Sequence, residues 1–260
     1  MHVTRKDIRI IDVTAESLEE TGIYCLKDKR APGYQLKAEW FKSNSTFGLK
    51  IRIAVDNQGN QLGFIEYIPS ESAWRPVNAK NYMFIHCILI FSNDVKGKGI
   101  GSALLEICES DARQLGKSGI CAMSSDGPWM ADKTLYEKNG FHVGEKLGRF
   151  ELMIKRFDNR TSKPVFIDWT KQQAQYKGWN LIYSDQCPWH DKSVRELKQS
   201  ALEYGIKLSV KKLTSFEDAQ NSPSGFGTFV LIKDGKLIED HYLSKKRFEN
   251  IVKKEIFKKD

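Results

Sequence analysis

Apolar residues recur along this chain in short runs at strand period and in longer runs at helix period. Residues 7–13 (DIRIIDV) read as an opening strand. Residues 15–30 carry a short helical pattern that ends in a charged cluster before Pro32-Gly33, and residues 34–47 read as a second short helix and a loop. Runs at 49–55 and 61–68 are strand-like and flank Asp56-Asn57-Gln58-Gly59-Asn60, a hairpin signal. A long apolar run at 83–91 (MFIHCILIF) is followed by glycines and by an amphipathic stretch to about residue 115, which predicts strand, turn and helix. Residues 119–124 predict a strand, 130–138 a helix, and 141–146 and 150–157 two further strands. The order is β-α-α-β-β-β-α-β-α-β-β, an α/β (α+β) pattern.

The polar, turn-prone segment 158–163 (DNRTSK) marks a boundary. The domains are expected at 1–157 and 179–260, with a linker over 158–178. In the second, residues 179–184 predict a strand, 192–204 a helix, 208–213 a strand, 228–238 a hairpin turning at Asp234-Gly235, and 245–257 a closing helix.

Bulk properties narrow the classes. The 260 residues are 40% hydrophobic and 28% charged, as in a soluble globular chain. No apolar run reaches transmembrane length, and the polar N-terminus carries no secretory signal, so no membrane role is expected. The five cysteines are scattered and odd in number, which argues for a reducing cytoplasm rather than a disulfide framework. The net charge of +8 permits an acidic partner, but the lysines are spread over both halves. Lys253-Lys254 and Lys258-Lys259 read as a solvated helix face, and no nucleic-acid partner is expected. No metal site is expected either.

The segment Val95-Lys96-Gly97-Lys98-Gly99-Ile100-Gly101-Ser102 is the most informative. Glycines let the backbone approach a ligand, and the helix that follows offers its unpaired N-terminal amides and the positive end of its dipole. This suits a phosphate or pyrophosphate. A Walker loop would need Gly-Lys-Ser/Thr, which is absent, and a dinucleotide fingerprint would need G-x-G-x-x-G, whereas the chain has G-x-G-x-G. A third pattern, Arg/Gln-x-x-Gly-x-Gly/Ala, belongs to the coenzyme A turn of the GNAT acetyltransferases. Lys96-Gly97-Lys98-Gly99-Ile100-Gly101 resembles it, with lysine at the first position. Downstream, Leu135-Tyr136-Glu137-Lys138-Asn139-Gly140-Phe141 is similar to the family's YEKxGF signature, in the family's order and at its usual separation. The resemblance covers roughly residues 5 to 157. After the boundary, the element order and Cys187-Pro188-Trp189-His190 resemble thioredoxin. The pairing of the two parts looks like the YoaP-type acetyltransferases.

The resemblance implies a GNAT fold whose mixed sheet splays apart around its fourth strand, followed by a smaller thioredoxin-like α/β domain. It implies transfer of an acetyl group from acetyl-CoA to a primary amine of a small molecule or peptide. Lys96, Gly97, Lys98, Gly99, Ile100, Gly101 and Ser102 would bind the pyrophosphate. Leu89, Ile90 and Phe91 would pair with the pantetheine arm. Tyr136 aligns with the family tyrosine that protonates the leaving sulfur. For the general base the residues leave two choices, His86 and Glu66. Trp74 and Arg75, in the loop before the fourth strand, would contact the acceptor. Trp129 stands where many relatives have an asparagine that bonds the cofactor arm. Cys187 opens a helix but lacks a resolving cysteine, since residue 190 is histidine. Thiol binding or exchange at Cys187, with the first domain as a coenzyme A-binding regulator, is the alternative function. The oligomeric state is left open.

Overall fold

The computed structural model describes residues 8–91 and 95–257, and the side chains of Ile256 and Phe257 lie outside that description. Asp7 of the opening strand, the N-terminal segment read for signals, and Lys258-Lys259 also fall outside the described residues. The chain divides into two compact units. The first comprises residues 1–29, 38–73 and 77–167, and the second residues 30–37, 74–76 and 168–260.

The strands of the first unit are β1 (Arg9–Val13), β2 (Lys50–Val55), β3 (Gln61–Pro69), β4 (Val77–Asn78), β5 (Tyr82–Ile90), β6 (Gly119–Ser124), β7 (His142–Leu147), β8 (Phe150–Arg156) and β9 (Val165–Phe166). Its helices are α1 (Leu18–Thr21), α2 (Pro32–Ser45, begun in the second unit's segment), α3 (Ile100–Gln114) and α4 (Lys133–Glu137). Seven strands form one sheet in the order β1-β2-β3-β5-β6-β8-β7. All neighbours are antiparallel except β5 and β6. The β2–β3 turn is held by Asp56, whose Oδ1 accepts from the amides of Gln58 (2.9 Å) and Asn60 (2.8 Å). Such side-chain-closed turns are why Asp initiates them.

Helix α3 lies on β3, β5 and β6. Its apolar stripe of Ile100, Leu104, Leu105, Cys108 and Ala112 meets Ile65, Tyr67, Met83, Ile85, Ile120 and Ala122 in the buried core. A polar knot pins the far end of α3. Asp111 accepts from Lys50 Nζ (2.8 Å), Arg52 Nη2 (2.7 Å) and Tyr67 Oη (2.5 Å). Burial favours the neutral acid, but the three donors outweigh it and hold the carboxyl below its ordinary range.

The second unit contains β10 (Trp179–Tyr183), α5 (Trp189–Glu203), β11 (Leu208–Lys212), α6 (Phe216–Gln220), β12 (Phe229–Lys233), β13 (Lys236–Glu239) and α7 (Lys245–Phe257). The sheet order is β11-β10-β12-β13, with β10 parallel to β11 and antiparallel to β12. Helices α5 and α7 pack together. In its interior, His190 Nδ1 donates to the Ser184 carbonyl (2.9 Å), beside Phe229 with ring centroids 5.0 Å apart. Burial lowers the His190 pKa most. The Ser184 carbonyl opposes this, the charges of Arg75 and Lys37 add to it, and the result is about 4.

Some elements differ from the sequence reading. The helix expected over 130–138 starts only at Lys133, because the Asp132 side chain caps it by accepting from the Thr134 amide (2.6 Å). The helical pattern of 15–30 condenses to α1 alone. The segment 158–178 holds β9 and a 3-10 helix, Trp169–Gln175, with Trp169 buried. Two-residue strands and single turns carry too little periodicity to be read.

Two outcomes follow from the buried charges. Asp111→Ala strands Arg52 and Tyr67 and is expected to lower unfolding stability by about 2 kcal/mol, measured by urea titration. The wild-type contribution of Asp111 is present above the ordinary carboxylate pKa and is lost as pH falls through the lowered folded value. For His190, the unfolded imidazole takes a proton near pH 6.5, which the folded one refuses down to about 4. Stability therefore falls as pH drops through that window, by about 3 kcal/mol in all. His190→Gln is expected to flatten that part of the pH–stability curve.

Candidate active site

The sheet opens beside β5. Residues Tyr82–Ile85 pair with Gly119–Ala122 of β6, and there the β5–β6 ladder ends, while β6 continues along β8 through Met123 and Ser124. On its other side β5 stays paired with β3 to Ile90, but the register shifts between Glu66 and Tyr67. Glu66 faces Cys87 and Tyr67 faces Ile85, so His86 is the extra residue of a β-bulge. A bulge bends its strand and re-aims its side chains. Beyond it, Ile88 is buried, whereas Cys87, Leu89 (42%) and Phe91 (45%) are exposed. Among the described residues no strand covers the second edge of residues 86–90, so their backbone groups on that side are open to an extended ligand.

The glycine turn follows this open edge. Val95 is buried and anchors it, while Lys96 and Gly97 are exposed. Gly97 (φ 77°) and Gly99 (φ 81°) take left-handed conformations that L side chains rarely adopt, and Gly99 caps the start of α3. No side chain caps the helix, so its first amides are presented beyond the turn. At Gly101 a Cβ would stand 2.8 Å from Leu135 Cδ1, so this position lets α4 approach α3.

That approach places Tyr136. Helix α4 ends in a Schellman motif: Gly140 (φ 83°) donates to Glu137 O (3.1 Å) and Phe141 N donates to Tyr136 O (3.1 Å). The Phe141 and Tyr136 rings then meet edge to face, 5.4 Å between centroids. Tyr136 is 2% exposed. Burial raises its pKa, and the nearby Cys87 and Cys108 thiols add to the rise, so the phenol is held protonated.

The other face of β5 carries the second chemical group. His86 Nδ1 and Glu66 Oε1 lie 3.2 Å apart, both side chains buried. Phe84 (ring centroids 5.6 Å) and Trp40 (6.3 Å) flank the imidazole. Reading His86 and Glu66 as alternative bases thus meets a structure in which they form one pair.

The sequence-predicted site residues separate into two sets. Glu66, His86, Leu89–Phe91, residues 96–102 and Tyr136 all belong to the first unit. Trp74 and Arg75 do not stand in an exposed loop. They are buried and belong to the second unit, where Arg75 Nη1 donates to Gln186 Oε1 (2.6 Å) and its guanidinium lies 5.1 Å from the Phe226 ring. Cys187 is half-buried just ahead of α5, and its carbonyl accepts from the His190 amide (3.1 Å). Trp129 is half-exposed, with φ 66°. Two features escaped the sequence. One is the exposure of Cys87 beside the bulge. The other is Tyr24, which has φ 59° in a tight turn closed by Cys25 N to Ile23 O (2.7 Å) and stacks on Phe91 at 3.9 Å. Among the described residues no group of His, Cys, Asp and Glu could hold a metal ion, and no helix is long and apolar enough to cross a membrane.

The family model described as an acetyltransferase (GNAT) domain matches residues 49–143, and a YoaP-like model matches residues 208–250. A curated relative from Bacillus subtilis (strain 168), described as the uncharacterized N-acetyltransferase YoaP, is 28% identical over 248 residues, covering 93% of this chain and 97% of the relative. Among solved structures, the putative acetyltransferase yncA of Salmonella typhimurium with acetyl-CoA is 18% identical, with a TM-score of 0.43 over 60% of this chain and 97% of that one. The PaiA N-acetyltransferase of Thermoplasma acidophilum in complex with coenzyme A gives 18% and 0.43, over 58% and 99%. The chain thus matches a GNAT acetyltransferase domain over residues 49–143 and a YoaP-like domain over residues 208–250, and it resembles an N-acetyltransferase along most of its length.

Proposed function

We propose that this protein transfers the acetyl group of acetyl-CoA to a primary amine of a small molecule or peptide. One observation carries the reading: the β5–β6 ladder ends at Ile85, which leaves the far part of β5 open on that edge just ahead of the glycine turn and the uncapped start of α3. The amides of residues 97–102 and the charges of Lys96 and Lys98 suit the pyrophosphate. The uncovered edge at Leu89–Phe91 suits an amide-bearing arm, and an N–H there would polarise the thioester carbonyl. Acetyl-CoA supplies the activated acyl group.

The chain's own groups manage the protons. A neutral amine is the nucleophile, so a base must take the ammonium proton. The His86–Glu66 pair is our choice, the carboxylate orienting the imidazole at 3.2 Å. Tyr136, kept protonated by burial, is the acid for the departing thiolate. The domains are read as 1–157 and 179–260 joined by 158–178, with residues 30–37 and 74–76 belonging to the second unit. Its strand order and the place of Cys187 before α5 support a thioredoxin-like module. His190 stands where a resolving cysteine would, its Nδ1 donating to Ser184, which favours a binding role over dithiol chemistry. The scattered cysteines suit a cytoplasmic protein.

Calorimetry with acetyl-CoA, followed by an amine screen, tests the reading. Gly99→Val is expected to weaken acetyl-CoA binding about tenfold or more, because a β-branched residue resists φ 81°. Tyr136→Phe is expected to lower kcat on the order of a hundredfold with little change in acetyl-CoA affinity. Wild-type protein that binds no acetyl-CoA at millimolar concentration would refute the proposal.

A further inference from the structure

The turn that carries Tyr24 is fastened at the start of β3. Gln61 Nε2, on the first residue of that strand, donates to the Thr21 carbonyl (2.7 Å), and the Gly22 amide donates to Leu18 O (2.9 Å). Gly22 takes φ 70° as a glycine can, but Tyr24 takes φ 59°, where a bulky side chain strains the backbone. The strained turn sets a buried aromatic ring against Phe64 (centroids 5.0 Å apart, tilted) and stacks it on Phe91 (3.9 Å, 26° between planes). The Tyr24 hydroxyl does not account for this placement, because it makes no hydrogen bond among the described residues. The ring contact does. Phe91 is the last residue of the open edge, and it is largely exposed. A backbone bond from its amide to Leu62 O ties it to the β3 side, at 3.3 Å, longer than most N–H···O bonds. The Tyr24 ring is a second hold on the same residue.

We propose that Tyr24 is a positioning residue for acetyl-CoA: its ring clamps Phe91 and so sets the end of the open edge before the ligand arrives. This rests on the acetyl-CoA reading above, in which residues 89–91 pair with the amide-bearing arm. A strand end that moves must be ordered when the arm binds, and that ordering weakens the observed affinity. A strand end already held loses less. Stacked rings supply such a hold through side chains alone. The Phe91 amide is turned toward β3, so a clamp on its ring leaves the uncovered edge of β5 free for the arm. The segment holding Tyr24 forms no strand and pairs with neither β3 nor β5 in the sheet. Its strained turn is the means by which a ring from outside the sheet reaches the end of the strand.

Calorimetric titration of the purified full-length protein with acetyl-CoA tests this without knowledge of the amine. Tyr24→Gly removes the ring and relieves the backbone, and it is expected to raise the acetyl-CoA Kd about five- to tenfold. Tyr24→Phe keeps the ring and is expected to bind within about twofold of wild type. Phe91→Ala is expected to raise the Kd by a similar factor to Tyr24→Gly. Combining Phe91→Ala with Tyr24→Gly is expected to raise it no further, because both variants remove one shared contact. Tyr24→Leu, which fills space without a stacking face, carries the same expectation as Tyr24→Gly and replaces it if the glycine variant does not fold. Wild-type affinity in Tyr24→Gly or its replacement would overturn the proposal. So would a loss in Tyr24→Phe as large as theirs, or losses that multiply in the double variant. Each of these outcomes leaves the acetyltransferase reading standing. Wild-type protein that binds no acetyl-CoA would overturn both.

Discussion

Strand β5 cannot satisfy both of its edges and also leave room for a ligand. The structure resolves this by ending the β5–β6 ladder at Ile85↔Ala122 and keeping the β3 side paired to Ile90. The half of β5 that remains uncovered carries backbone donors and acceptors, and buried without partners they would cost free energy. Here they stay open ahead of the glycine turn. The glycine turn follows that edge in the chain, and the His86–Glu66 pair stands at the bulge.

The site is polar chemistry set in an apolar frame. Tyr136 lies in the same buried cluster as Ile85, Ile88 and Met153, and this burial keeps its proton in place. On the opposite face Phe84 and Trp40 enclose the His86 imidazole, and Glu66 gives it a charged neighbour. Tyr136 and His86 therefore lie on opposite sides of β5. The strained turn at Tyr24 has the same character. Its ring stacks on Phe91, at the last residue of the open edge.

The second unit shows how one residue changes the chemistry of a motif. A histidine at residue 190 turns inward, gives its Nδ1 proton to Ser184, and packs against Phe226 and Phe229. The place before α5 keeps a sulfur in Cys187 but has no second sulfur beside it in the motif. Arg75 and Gln186 fill the neighbouring interior with a buried hydrogen bond.

Local chemistry was enough to determine much of this protein. Strand and helix periods mark the long elements, Gly97 and Gly99 announce the turn, and Tyr136-x-x-x-Gly140-Phe141 spells out a helix end. These features depend on residues close in sequence, which is why they are legible there. Pro32-Gly33 misleads because the proline that reads as a break also suits the first turn of a helix, where α2 begins. Long-range contacts decided the rest. The register shift at His86 depends on how β3 meets β5, the pairing of Glu66 with His86 on two strands, the exposure of Cys87 on where β6 departs, and the burial of Arg75 on a residue more than a hundred positions away. A sequence records its neighbours along the chain; which distant groups exclude water together is settled only when the chain folds.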